Sequence, residues 1–301
     1  MKNGEKHIVV NLQKVNVAFS FSLLLFMAFL AACSTPTVSS SDSDEKSSSS
    51  EKVEKRGDLS SPSNMSIRGE SSSSSVVTLA TPCKTKTEDS CEYGELTDER
   101  DGQTYKTVKI GDQWWMAENM NYADSVKTPS LLERNWCYDN NPSNCAKYGR
   151  LYTWAAAIDS VALVNDADNP QDCGYDKTCT LPEKVRGVCP EDWHVPTNDE
   201  WETLFAVVGG WSTAGKKLKS LTDWYAYSYI SNEDAYGFSA QPGGYRIDDG
   251  SFDGAGYHAY IWNTMEGERN AGYMYLLYNY DYATQGVNVK YYGFSVRCVK
   301  D

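Results

Sequence analysis

The sequence predicts an α+β domain with few short helices, antiparallel strands and disulfides. Three observations point there. One segment combines a helical apolar period with a capping signal, a run of short strand-like segments follows it, and the cysteines are even in number once one is set aside at a leader. Helices come before strands in this reading, and no internal repeat is visible.

Residues 1–32 read as a leader, not as part of the fold. Lys2, Lys6 and Lys14 precede an apolar run from Val17 to Ala32 that is short for a membrane span and ends in small residues. The segment Leu30-Ala31-Ala32-Cys33 resembles the lipobox of bacterial lipoproteins. That resemblance implies a diacylglyceryl group on the Cys33 sulfur, cleavage before it, and a membrane partner reached through lipid alone. Ser34 lacks the Asp associated with inner-membrane retention, so the expected location is the outer membrane. Residues 33–82 form the expected tether, with 18 Ser among the 42 residues from Ser34 to Ser75. So few apolar groups cannot offset the entropy of ordering, and a flexible chain of about 50 residues reaches roughly 40 Å.

The whole chain carries a net charge of −13, and subtracting the leader's three Lys and one Glu, a net +2, leaves −15. That sign argues against nucleic acid and anionic lipid as partners. Residues 83–301 suit one domain. Thr104 to Ile110 and Gln113 to Ala117 flank Gly111-Asp112 and predict a hairpin. Leu151 to Ile158 reads as a short helix. Thr197-Asn198-Asp199-Glu200 has capping-box spacing, and Trp201, Leu204, Phe205 and Val208 then share one helical face before Gly209-Gly210. Strands are expected over 236–241, 244–247, 257–264, 272–280 and 291–299. In the last of these, Phe294, Val296 and Cys298 alternate with Ser295, Arg297 and Val299, which makes one face apolar.

Eight cysteines remain beside Cys33, and in an exported chain they read as four disulfides. Eight cysteines allow 105 pairings; spacing favours Cys83 with Cys91, Cys137 with Cys145 and Cys173 with Cys179, leaving Cys189 to join Cys298. Zinc is disfavoured, since no pair has two-residue spacing and only His194 and His258 follow the leader.

Several segments together resemble the Fibrobacter succinogenes major paralogous domain. They are Gly111 to Tyr122 (GDQWWMAENMNY), Tyr148 to Ala157 (YGRLYTWAAA), Cys189-Pro190 with Trp193 to Thr197, Tyr236 to Ala240, Pro242 to Arg246 and Ser295 to Lys300. This family is similar in pattern to the formylglycine-generating-enzyme and C-type-lectin-like group. The resemblance implies an irregular, C-type-lectin-like fold whose final strand lies near the start of the domain, and it implies no activity.

Catalytic constellations are not legible. The late cysteine pair that formylglycine-generating enzymes use for copper has no counterpart, no Gly-x-Ser-x-Gly occurs, and His194 reads as a structural histidine. Gly210 to Lys217 spells Gly-x4-Gly-Lys without the Ser or Thr of a phosphate loop. Asp248, Asp249, Asp253 and the run Asn165 to Asn169 offer oxygen ligands to calcium without EF-hand spacing, and read first as solvated turns. Aromatics carry the remaining signal. Trp224, Tyr225, Tyr227 and Tyr229 are candidate ligand-binding residues, the three tyrosines sharing one parity if the segment is extended. The expected function is therefore a non-catalytic recognition domain for plant polysaccharide. The alternatives are a structural or assembly protein that contacts other envelope proteins and, behind it, an enzyme of another type.

Overall fold

The computed structural model describes residues 77–301; the predicted leader, Cys33 and the Ser-rich stretch through residue 76 lie outside the described residues. Strands β1 (Tyr93–Thr97), β2 (Thr104–Ile110) and β3 (Gln113–Met116) make an antiparallel meander. Gly111 turns the predicted hairpin at φ 60°, a conformation that side chains with a Cβ rarely adopt. Next come β4 (Asn135–Trp136), α1 (Pro142–Tyr148), β5 (Leu151–Tyr152), α2 (Trp154–Ala157) and α3 (Ser160–Val164). After β6 (Trp193–His194) the chain forms α4 (Asn198–Val207) and α5 (Trp211–Leu218). It ends in β7 (Gly243–Arg246), β8 (Phe252–Ala255), β9 (His258–Glu266), β10 (Asn270–Leu277), β11 (Ala283–Val289) and β12 (Val299–Lys300).

Two five-stranded sheets result, in the orders β1-β2-β3-β12-β6 and β11-β10-β9-β7-β8, beside the small pair β4-β5. Among the described strands the β7–β9 pairing is parallel and the others antiparallel, with isolated parallel bridges at Lys219–Ala240 and Ile261–Ser295. The domain is thus mixed α+β with short helices, mainly antiparallel sheets and four disulfides: Cys83–Cys91, Cys137–Cys145, Cys173–Cys179 and Cys189–Cys298.

Several boundaries differ from expectation, each for a local reason. Strands open the domain, so helices do not simply precede them. The helix expected from Leu151 begins at Trp154, because Leu151 and Tyr152 pair with β4 and Thr153 caps the Ala156 amide. No strand forms over 236–241: Asp234, Gly237 and Ser239 all have positive φ, and the carbonyls of Phe238 and Ser239 turn inward to Arg297. The helix α5, missed in the sequence, restarts directly after Gly210 at φ 95°. The strand β11, also missed, contains Gly286, where a Cβ would lie 3.3 Å from the Tyr273 ring.

Alternation along the strands sends neighbours to opposite sides. Met116, Trp262 and Cys298 enter one core with Trp154, Phe294 and Val296, whereas Trp115, Ile261 and Val299 enter the other with Trp201, Phe205 and Phe238. Trp115, Trp154, Trp201 and Trp262 are fully buried, and each such side chain contributes on the order of 2–3 kcal/mol.

The segment expected as one long strand, 291–299, is a ladder only in β12. Upstream it changes partner every one or two residues. Gly293 exchanges hydrogen bonds with Arg246, and Phe294 with Tyr152; the Ser295 amide donates to the Tyr260 carbonyl, and the Trp262 amide to that of Ser295. Amides of Met120 and Met116 then donate to the carbonyls of Val296 and Cys298, at 2.9 and 3.0 Å. The polar parity is buried as well. Arg297 is fully enclosed, its Nε donating to Asn119 Oδ1 at 2.7 Å, Nη1 to the Phe238 carbonyl and Nη2 to that of Ser239 at 2.9 Å. Asn119 in turn donates to the Tyr148 carbonyl (2.8 Å) and to Ser295 Oγ (3.3 Å). Gly149 must be glycine here, since a Cβ would lie 2.7 Å from that of Asn119. Burial pushes the Arg297 pKa down to about 9, which still leaves it protonated at neutral pH.

His194 is buried at the seam between β6, α4 and Asp301. Its Nδ1 lies 2.5 Å from Asp301 Oδ1 and its Nε2 2.8 Å from Glu200 Oε1, while Glu200 also closes the capping box on Thr197. Burial opposes the imidazolium, yet the two carboxylates outweigh it and raise the pKa above its ordinary 6.5. For Glu200, burial is likewise outweighed by His194 and the Thr197 amide, so its pKa falls below 4.5.

Two outcomes are expected. Arg297→Lys keeps the charge but cannot supply three divergent donors, so it lowers the unfolding free energy by about 3 kcal/mol or more; urea titration checks this, and a loss below about 1 kcal/mol contradicts it. For His194, the folded pKa is raised, so its stabilisation is complete below 6.5 and fades as pH rises through the folded value; for Glu200 it is complete above 4.5 and fades on acidification. The stability deficit of His194→Gln should therefore be greatest between pH 4.5 and 6.5 and shrink above. Melting curves of both proteins from pH 4.5 to about pH 9 test the sign, and a deficit that grows over that span contradicts it.

Candidate functional site

The loop after α5 carries the aromatic cluster, and a buried lysine holds its base. Lys219 is fully enclosed; its Nζ donates to the carbonyls of Leu277 (2.9 Å) and Tyr280 (2.8 Å) and lies 5.2 Å from the Trp224 ring. Burial lowers its pKa to about 8, so it is still mainly charged at neutral pH. Trp224 is half-buried against the second core and donates from Nε1 to the Ala240 carbonyl at 3.0 Å. It supports the site from below.

Tyr225, Tyr227 and Tyr229 are exposed by 58, 42 and 86%, and Tyr257 by 37%. The segment is not extended, so shared parity does not align the three. Tyr278 gathers Tyr225 and Tyr227 instead. In the β9–β10 hairpin, Leu277 pairs with His258, and one residue further the Tyr278 amide donates to the Tyr257 carbonyl at 2.9 Å. The Tyr225 amide bonds the Gly256 carbonyl at 2.7 Å, which brings the loop onto this hairpin end. Tyr225 then stacks on Tyr257 with centroids 4.9 Å apart and planes 19° apart, and Tyr278 meets Tyr225, Tyr227 and Tyr257 edge-on. Tyr229, in a turn, has one ring neighbour among the described residues, Tyr227, at 6.0 Å. Beside the rings lies a depression of about 400 Å³ whose lining includes Trp224, Ile230, Asn232 and Tyr278. Flat rings with hydroxyl rims suit stacking and hydrogen bonding.

The other sequence candidates lie elsewhere. Asp166 accepts the amides of Asp168 and Asn169, Asp249 that of Ser251, and Asp253 the Tyr245 hydroxyl at 3.1 Å, so these carboxylates cap turns or bind a neighbouring ring. Asp248 is exposed. Among the described residues, no three His, Cys, Asp or Glu side chains converge as a metal site would require. His194 faces two carboxylates and no nucleophile. His258 lies parallel to Tyr260 at 5.2 Å, and burial lowers its pKa. Cys33 lies outside the described residues.

The motifs that carry the resemblance converge on the buried fold. Asn119, the Tyr148 carbonyl, the carbonyls of Phe238 and Ser239, Ser295 and Arg297 meet at one buried point. No curated protein and no solved structure matches the chain. The Fibrobacter succinogenes major domain matches residues 108–300, close to two thirds of the sequence and every residue of the Arg297 cluster. By that match, the chain belongs to the Fibrobacter succinogenes major domain family.

Proposed function

We propose that the chain is an exported, lipid-anchored envelope protein whose domain is a non-catalytic recognition module for plant polysaccharide. The observation that carries this reading is the exposed, nearly parallel Tyr225–Tyr257 stack, widened by Tyr227 and Tyr229 and set on the hairpin end. A sugar ring offers an apolar C–H face to such a surface and hydroxyls to its phenols. The outer-membrane location rests on the leader, Cys33 and Ser34, and the Ser-rich stretch would lift the domain from the lipid. A C-type-lectin-like arrangement belongs to the same proposal. Short helices, mostly antiparallel sheets and the pairing of β12 with β3, a strand from the start of the domain, support it.

A second reading, contact with another envelope protein, draws on Tyr229, whose 86% exposure and single ring contact suit insertion into a partner. Crosslinking on intact cells separates the two readings: a stable protein neighbour captured through residues 225–229 favours the second.

Retention on insoluble cellulose, xylan and pectin tests the first. The Tyr225→Ala/Tyr227→Ala/Tyr229→Ala protein should lose at least tenfold in affinity, about 1.4 kcal/mol, for the polymer that retains the parent. Failure of the parent to bind any of the three removes polysaccharide from the proposal.

A further inference from the structure

A second concavity, of about 880 Å³, opens between β4, the Cys173–Cys179 loop and the end of β7, and it shares no lining residue with the tyrosine face. Its volume falls within the range of small-ligand sites, about 300–1,000 Å³. Trp136 forms part of the wall, with the Arg246 guanidinium stacked over its ring at 3.9 Å. Tyr175, 41% exposed, packs against Tyr291 at 4.9 Å and adds further aromatic surface.

These walls are fixed before any ligand arrives. The Tyr175 loop is closed by its disulfide, Lys290 Nζ donates to the carbonyls of Gly174 (2.8 Å) and Lys177 (2.9 Å), and Arg269 Nε meets Asp176 at 2.6 Å. The charges that do this structural work are internally matched: Lys290 with Glu266 at 2.6 Å, and Lys177 with Asp172 at 3.1 Å. Four lining charges are not. Among the described residues, Arg134, Arg246, Glu133 and Asp248 make no ion pair within 4.0 Å, although Arg246 lies two residues from Asp248. Stacking on Trp136 holds the Arg246 fork in place; Nη1 donates to the Ile247 carbonyl at 3.2 Å, and Nε is enclosed without a partner.

Two guanidinium groups and two carboxylates without an ion pair within 4.0 Å among the described residues balance in charge, which favours neither an anion nor a cation. They supply donors and acceptors side by side, next to aromatic surface. A neutral polyhydroxyl ring answers that combination, because vicinal hydroxyls accept from a guanidinium and donate to a carboxylate while the C–H face packs on a ring.

We propose that this cleft is a second glycan site, which takes the end of a short, neutral, soluble oligosaccharide. For its ligand class it rests on the recognition reading above, and its residues are separate. Calorimetry of the full chain with neutral cello-, xylo- and manno-hexasaccharides, and with an acidic galacturonate hexasaccharide, tests it. Arg134 and Tyr175 stand at the exposed rim, so Arg134→Ala and Tyr175→Ala leave the fold intact. The expected result is binding of at least one neutral hexasaccharide, weakened tenfold or more by either substitution and unchanged in Tyr225→Ala/Tyr227→Ala. Binding of no neutral hexasaccharide, tighter binding of the acidic one, or a loss that follows Tyr225→Ala/Tyr227→Ala instead of the rim variants overturns it. Retention on insoluble polymer reports on the tyrosine face alone, so the two sites fail separately.

Discussion

The Arg297 guanidinium, buried without a carboxylate partner, is the constraint on which the rest of the domain depends. A charge taken out of water demands hydrogen-bond partners in fixed directions. Here they come from Asn119 beyond β3 and from the carbonyls of Phe238 and Ser239 in the loop before β7. Three stretches distant in sequence are thereby held at one point. The residues on either side extend the effect, since Phe294, Val296 and Cys298 fill one core while Val299 enters the other. The Cys189–Cys298 bridge, with a sequence separation of 109, adds a covalent tie to the same segment; in the entropic account a loop of about 100 residues contributes about 4.7 kcal/mol.

The motifs that carry the family resemblance supply this buried cluster. The motif residues Asn119, Gly149, Phe238, Ser239 and Arg297 are enclosed in the fold or packed against it, where they decide geometry. The exposed rings sit on connecting segments between those motifs, at 225–229 and at the ends of β9 and β10. The buried cluster and the proposed contact surface thus draw on different residues of the chain. Lys219 joins the two, since it comes from the end of α5 and fixes the carbonyls on either side of Tyr278.

Local chemistry was legible in the sequence, and long-range partnership was not. Thr197 and Glu200 announce the start of α4 because a capping box is complete within four residues, and Gly111 announces its hairpin for the same reason. The strand expected over 236–241 fails because Arg297, nearly sixty residues away, takes the carbonyls a ladder would need. Likewise, nothing near Arg297 foretells its burial; alternation marks Phe294, Val296 and Cys298 as one face and leaves the other open. Exposure of Tyr225, Tyr227 and Tyr229 could be entertained from their polar setting, but their grouping depends on Tyr278 and Tyr257. Tyr257 and Tyr278 stand in the strands expected over 257–264 and 272–280, and the register of the β9–β10 hairpin, extended by one residue, places them together.

Native-state hydrogen exchange, followed at the amides that the final segment holds in place, tests this organisation most directly. The amides of Met116, Met120, Tyr152 and Trp262 all donate to carbonyls between Phe294 and Cys298, from three separate parts of the fold. If that segment is the common support, the four exchange only through global unfolding and show one shared free energy, equal to that from denaturant titration. Four different, smaller opening energies, with the segment 293–300 fraying ahead of the sheets, would contradict the account.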